Sequence, residues 1–237
     1  YLGLTLPLLI VLLGKSRKGR ANTPVLYILY LLLFIILLLT FSRGAYLAIV
    51  VSFIVLAWLL FQYASQRKIA LLLLLSLLVF IIPKTPISAR FYSTFNLSEG
   101  SNMGRLEMWE EAGQLGRENF LWGVGLGNYS LSIDPDFGYR NPITAHNLYL
   151  DIFSEMGIFA LIIWLILIFG TILGLFKRAR NAVGADTKHR QIAIGLIGSL
   201  VYFSVQSFFE TAIYSPVILA MLMVILGLSA IVIRPVN

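Results

Sequence analysis

Long uncharged apolar runs alternate with short hydrophilic segments along this chain. The runs are Val25–Phe41, Ala45–Tyr63, Ile69–Ile82, Gly157–Phe176, Ile192–Phe209 and Ala212–Ile233. A helix that crosses a hydrocarbon core of roughly 30 Å needs about 20 such residues. Most of these runs approach that length, and Ile69–Ile82 is the short one. A further apolar run, Tyr1–Leu13, opens the sequence without an initiator Met or a basic leader. It reads as the tail of a longer span rather than a signal peptide, so the chain is expected to be the C-terminal part of a longer protein. The pattern predicts an all-α, polytopic transmembrane helix bundle of about seven spans. The expected organisation is N-terminal membrane helices over 1–82, one large outward-facing loop over 83–145, and C-terminal membrane helices over 146–237.

The loop carries short helices of its own. Leu106, Trp109 and Gly113 fall at helical spacing within Met103–Glu118, with Glu107, Glu110 and Glu111 turned away. That spacing predicts an amphipathic helix on the membrane face. Trp122–Tyr139 is rich in Gly, carries Asp134-Pro135 and reads as loop. Thr144 is the expected cap of a helix that begins at Ala145-His146-Asn147 and runs into the span at Gly157.

Composition agrees with the pattern. Hydrophobic residues make up 59% of the 237 and charged residues only 12%, about half the usual share, and the mean hydropathy is +0.87. These values exclude a soluble enzyme and a disordered chain. With no Cys there is no disulfide frame and no thiolate chemistry.

Charge then sorts the two sides. The segments around Lys15–Arg20, Arg67-Lys68, Lys177–Arg190 and Arg234 hold 12 basic residues and one acidic. Arg43, the segment Pro83–Met156 and Glu210 hold 6 basic and 10 acidic residues. The positive-inside rule places the first group in the cytoplasm and the second outside. Basic clusters placed by topology need no nucleic-acid partner, and none is expected; the partner they imply is the lipid bilayer.

Few polar residues fall near the outer face. Arg43 lies between two apolar runs with almost no loop. A guanidinium there either forks onto a phosphate or pairs with a carboxylate. His146 falls in the first turn of its helix, where the positive helix end favours the neutral ring. It reads either as a general base or as a His that hydrogen-bonds a loop. His189 lies among basic residues and is assigned no role. Arg105 and Trp109 are four apart, so the indole can brace a guanidinium that holds an anion. The bland alternative is a solvated Arg paired to a nearby Glu.

Asn147, Asp151 and Glu155 form a stripe at spacing four that packs against other helices or holds a ligand. Glu210, one turn after Gln206, is either the counter-ion of a site Arg or an interfacial carboxylate. Gly123, Gly125 and Gly127 resemble a dinucleotide loop, but no βαβ context surrounds them. A loop that needs positive φ or close backbone approach is the better reading. No metal constellation and no cofactor motif stand out. The polar residues cluster at one face rather than at the midplane, where a transporter would need them.

Four motifs then occur in order: Phe41-Ser42-Arg43-Gly44-Ala45, Gly104-Arg105 with Trp109, Gly123-Val124-Gly125-Leu126-Gly127-Asn128-Tyr129, and Ala145-His146-Asn147 with Leu150 ahead of Glu155-Met156-Gly157. Together with the long outer loop they resemble the O-antigen ligase and polymerase family over 25–233. The resemblance implies a GT-C-like, metal-independent, inverting glycosyltransferase without a cofactor. It implies a multi-pass protein of the bacterial inner membrane with its active site on the periplasmic side. The implied donor is a glycan on undecaprenyl diphosphate. The implied acceptor is a lipid A core sugar for a ligase, a repeat unit for a polymerase, or a protein hydroxyl. His146 matches the family's base, Arg43 and Arg105 match its diphosphate arginines, and Trp109, Asn147, Gly125, Gly127 and Glu210 support them. A lipid-linked-glycan transporter is the alternative from another class.

Overall fold

A computed structural model describes residues 2–15, 23–63, 66–133, 144–181 and 187–234. Among these residues there is no strand. Four helices come first: α1 (Leu6–Lys15), α2 (Thr23–Leu39), α3 (Arg43–Phe61) and α4 (Arg67–Ser76). Three short or amphipathic ones follow: α5 (Pro86–Tyr92), α6 (Gly100–Glu118) and α7 (Tyr129–Ile133). The chain closes with α8 (Leu148–Asn181), α9 (Thr187–Gln206) and α10 (Pro216–Ile233). The expected charges at Arg17, Lys18, Arg20 and Asp186, and the Asp134-Pro135 turn, lie outside the described residues.

Local chemistry sets the helix starts. Ser42 caps α3 by accepting the Ala45 N–H at 3.4 Å. Thr85 and Ser88 form a capping box ahead of α5, with Pro86 in its first turn. Pro216 opens α10 in the same way.

Among the described residues three helices are long and apolar enough to cross a membrane: α3, α8 and α10. The apolar stretches Leu2–Val11 and Pro24–Leu39 are shorter. The expected span Ile69–Ile82 divides into α4 and a 3-10 turn, Leu77–Phe80. Together these rise about 23 Å, which is less than the hydrocarbon thickness.

α3 is the central helix, buried along Ala45, Ile49, Ser52, Phe53, Leu56 and Leu60. It packs on α9, where Gly198 lies so close to Leu56 that a Cβ would sit 2.8 Å from that side chain. Ser52 donates to the Gly198 carbonyl at 2.8 Å across the same seam. Small residues and interhelical hydroxyl bonds are the usual means of tight helix approach inside a membrane. α8 and α10 instead expose apolar side chains such as Ile163, Ile166 and Ile231, as lipid-facing helices do.

The hydrophilic middle segment gathers over one end of this bundle. The N-terminus of α3, the start of α8 and the end of α9 all meet there. Leu148 N–H donates to the Ser207 carbonyl at 2.8 Å, and the Tyr149 hydroxyl donates to that of Ser204 at 2.9 Å. α6 buries Ala112, Gly113 and Gly116, the last against Phe153 of α8. Leu106, expected on the membrane face, is 43% exposed. Closely approaching glycines, rather than large apolar side chains, set which face of α6 packs.

The Gly-rich loop clasps α8 at a break in that helix. Val124 N–H donates to the Ser154 carbonyl at 2.9 Å and Gly125 N–H to that of Glu155 at 2.8 Å. Ile158 N–H donates back to the Phe120 carbonyl at 2.9 Å. Gly157, at φ 76° and ψ −177°, interrupts the helical geometry. A Cβ at Gly157 would overlap the Leu121 carbonyl, and one at Gly123 (φ 66°) would overlap the Glu155 carbonyl. Gly125 and Gly127 also have positive φ, so the expectation of a strained, close-packed loop holds.

Candidate active site

His146 lies outside the helix, where the sequence had placed it in the first turn. α8 begins at Leu148, and the cap is Asn147 rather than Thr144. Asn147 Oδ1 accepts the N–H groups of Tyr149 at 3.1 Å and Leu150 at 3.3 Å. Thr144 Oγ1 instead accepts the His146 N–H at 3.3 Å and shapes the preceding turn. His146 itself has φ 48°. Left-handed backbone is uncommon for a residue other than Gly and tends to occur at functional sites.

The carboxylate facing the ring is Glu210. Its Oε1 lies 3.5 Å from His146 Nδ1, an ion-pair distance, and Nδ1 has no well-aligned hydrogen bond. Both side chains are 43% exposed. Contact with Glu210 outweighs burial and raises the His146 pKa above its ordinary value. The ring stands before the helix rather than in its first turn, and the carboxylate beside it works against the helix end expected to favour the neutral ring. The same pairing lowers the Glu210 pKa against the effect of burial. With Nδ1 turned to Glu210, Nε2 is the nitrogen left for a substrate.

Arg105 lies within electrostatic reach of the pair, and Arg43 and Arg90 lie within reach of Arg105. Arg43 is buried and saturated: Nη1 donates to Glu99 Oε2 at 2.7 Å and to the Ser93 carbonyl at 3.3 Å, and Nη2 donates to Ser101 Oγ at 2.8 Å. Of its two readings, pairing to a carboxylate is the one seen. Arg90 shares Glu99, through Oε1 at 3.4 Å, and its Nε donates to the Phe41 carbonyl at 3.1 Å.

Arg105 has no ion pair among the described residues. Burial chiefly, and the like charge of Arg43 and Arg90, lower its pKa, while Glu210 opposes them. An arginine stays charged in proteins, so such a position favours an incoming anion. Trp109 does not stack on Arg105. Its ring packs instead with Ala112, Tyr129 and Ala145, because that face of α6 lies against the turn before His146.

The stripe at spacing four holds this turn in place. Asp151 Oδ1 accepts the Ala145 N–H at 2.9 Å, and its Oδ2 accepts the Thr211 hydroxyl. One buried carboxylate thus fixes the residue before His146 and the residue after Glu210. Glu155 accepts the Tyr129 N–H at 3.2 Å and the Tyr214 hydroxyl. Sequence reasoning left this stripe without a role and missed Glu99, Arg90, Thr211 and Tyr214 altogether. Only the spacing of Asp151 and Glu155 signalled any of it. Among the described residues no cluster of His, Cys, Asp or Glu is suited to a metal ion.

A family model described as O-antigen ligase matches residues 28–165, more than half of the chain. The chain belongs to the O-antigen ligase family. The match takes in Arg43, Arg105, the Gly-rich loop, His146 and Glu155, and ends within α8. Members of the O-antigen ligase family are glycosyltransferase-like membrane enzymes, whose partners in general are a lipid-linked glycan and a lipid acceptor. Family and apolar helices together make this chain a membrane protein. Among curated proteins none matches it.

Proposed function

We propose that this chain transfers a glycan from undecaprenyl diphosphate to a hydroxyl acceptor, as an O-antigen ligase with a lipid A core sugar as acceptor. The observation that carries this reading is a His–Glu pair beside an arginine that has no ion pair among the described residues, at one end of an apolar helix bundle. In this reading the apolar helices α1–α4 and α8–α10 form about seven passes of a GT-C-like bundle in the bacterial inner membrane. The His146 end faces the periplasm. Repeat-unit polymerase and protein glycosylation use the same chemistry with other acceptors. A transporter of the lipid-linked glycan is disfavoured because the candidate site residues gather at one end of the bundle rather than at its midplane.

In the proposed step each of these residues has one role. Glu210 holds His146 Nδ1–H, and Nε2 removes the acceptor hydroxyl proton. The oxygen attacks the anomeric carbon from the face opposite the leaving group and inverts it. The bond from that carbon to the diphosphate oxygen breaks, and undecaprenyl diphosphate leaves with the electron pair. Arg105 offsets the charge that grows on it. Arg43 reaches the diphosphate only where the donor displaces Glu99; otherwise it fixes α6 and so aims Arg105. Trp109, Asn147, Gly125 and Gly127 support the turn and the clasp. In this reading the transfer uses neither metal nor cofactor.

Two results test the assignment. Arg105→Gln is expected to weaken binding of undecaprenyl diphosphate by roughly 10–100-fold, the scale of a hydrogen bond to a charged group. Unchanged binding in a titration of the purified full-length protein contradicts a diphosphate contact. The second is a pH profile. The base must be neutral, so kcat/KM rises as pH passes upward through the raised His146 pKa. In Glu210→Gln the rising limb moves to lower pH, because the carboxylate that favours the imidazolium is gone. A limb that stays in place removes Glu210 from the mechanism.

A further inference from the structure

A cavity of about 400 Å³ opens beside Glu210, between the ends of α2, α3, α9 and α10. Its polar lining is Thr40, Ser42, Gln206, Glu210, Thr211 and Ser215. The size falls within the range of small-molecule sites, about 300–1,000 Å³. Gln206 is 6% exposed, and its Oε1 has no hydrogen-bond partner. A buried amide oxygen without a partner costs free energy until a ligand satisfies it. Whichever way the amide is turned, it offers one acceptor and one NH₂ donor.

We propose that this cavity seats the acceptor: an uncharged, hydroxyl-bearing sugar ring, hydrogen-bonded by Gln206 and presenting one hydroxyl to His146 past Glu210. The inference rests on the glycosyl-transfer reading and adds where the second substrate sits. Charge decides against the donor diphosphate. The cavity wall contains a carboxylate and neither Lys nor Arg, so it repels a diphosphate and suits neutral hydroxyls.

None of Arg43, Arg90 and Arg105 lines the cavity. Ser42 and Ala45 face the cavity, while Arg43 between them is committed to Glu99, Ser93 and Ser101. Polarity also decides against a polyprenyl tail, which fits a neighbouring apolar cavity beside Leu4, Leu8 and Val217 better. The cavity is coupled to the base as well. Thr211 in its wall donates to Asp151, which also accepts the Ala145 N–H next to His146.

The test uses the full-length protein in nanodiscs with two probes, methyl glycosides read by saturation-transfer proton NMR and inorganic pyrophosphate read by phosphorus-31 line broadening. Wild type is expected to contact both. Gln206→Leu, and independently Thr40→Val in the turn after α2, lose the glycoside signal by about tenfold and keep pyrophosphate. Arg105→Gln does the reverse. The proposal is overturned if wild type contacts no glycoside, if the glycoside signal survives both cavity variants, or if pyrophosphate is lost with Gln206.

Host membranes separate this proposal from the reading beneath it. If transfer fails in His146→Ala yet keeps its acceptor KM in Gln206→Leu, glycosyl transfer stands and the acceptor cavity falls. If His146→Ala transfers normally, the underlying reading falls.

Discussion

Replacing His146 by alanine is expected to remove long glycan from the lipid A core of the host and leave it on its lipid carrier. A positioned general base contributes about 10²–10⁴-fold, so transfer falls below what a gel of surface glycans detects. His146 has φ 48°, and a change of side chain could also disturb the turn. His146→Asn separates the two effects, because Asn tolerates left-handed backbone better than most residues. It is expected to fail as completely as alanine while the protein stays in the membrane with unchanged thermal stability. An unchanged glycan ladder in either variant contradicts the role of His146. If one repeat unit remains on the core in the variants, the enzyme is a polymerase and the acceptor assignment changes.

The largest effect on stability is expected at Gly157. Alanine there meets two separate penalties. The backbone, at φ 76° and ψ −177°, lies in a region that costs other residues about 1–3 kcal/mol. The added Cβ overlaps the Leu121 carbonyl, and overpacking against fixed backbone costs about 1–3 kcal/mol more. Relief requires the clasp over 119–128 to lift from α8, which removes the bonds of Val124, Gly125 and Ile158. Gly170 in the same helix is the control: a Cβ there meets nothing within 4 Å, and alanine at that position is neutral or stabilising. Thermal unfolding of both variants checks the contrast, and equal melting temperatures contradict the clasp.

Sequence pattern and structure part company in instructive places. The helix runs were legible because apolar composition over 14–20 residues is a one-dimensional signal. The break of α4 at Ser76 was not legible, since Leu77–Phe80 are as apolar as the residues before them and only packing distinguishes the 3-10 turn. The glycines of the clasp were recognisable as positions needing special backbone, but not their target on α8. His146, Arg43 and Arg105 stood out as polar residues in apolar surroundings. Their partners did not. Glu99 lies 56 positions from Arg43, and Glu210 lies 64 from His146, so no local spacing records either pairing. The same gap bears on the His146 pKa: the helix end was visible in the sequence and the carboxylate that raises it was not.

The most direct measurement places the purified full-length protein in liposomes with undecaprenyl-diphosphate-linked glycan and a core-sugar acceptor, and counts two products together. The account predicts one undecaprenyl diphosphate released for each glycan joined to acceptor, with both products lost in His146→Ala. Movement of intact lipid-linked glycan across the bilayer, with no bond broken and no dependence on His146, would contradict it.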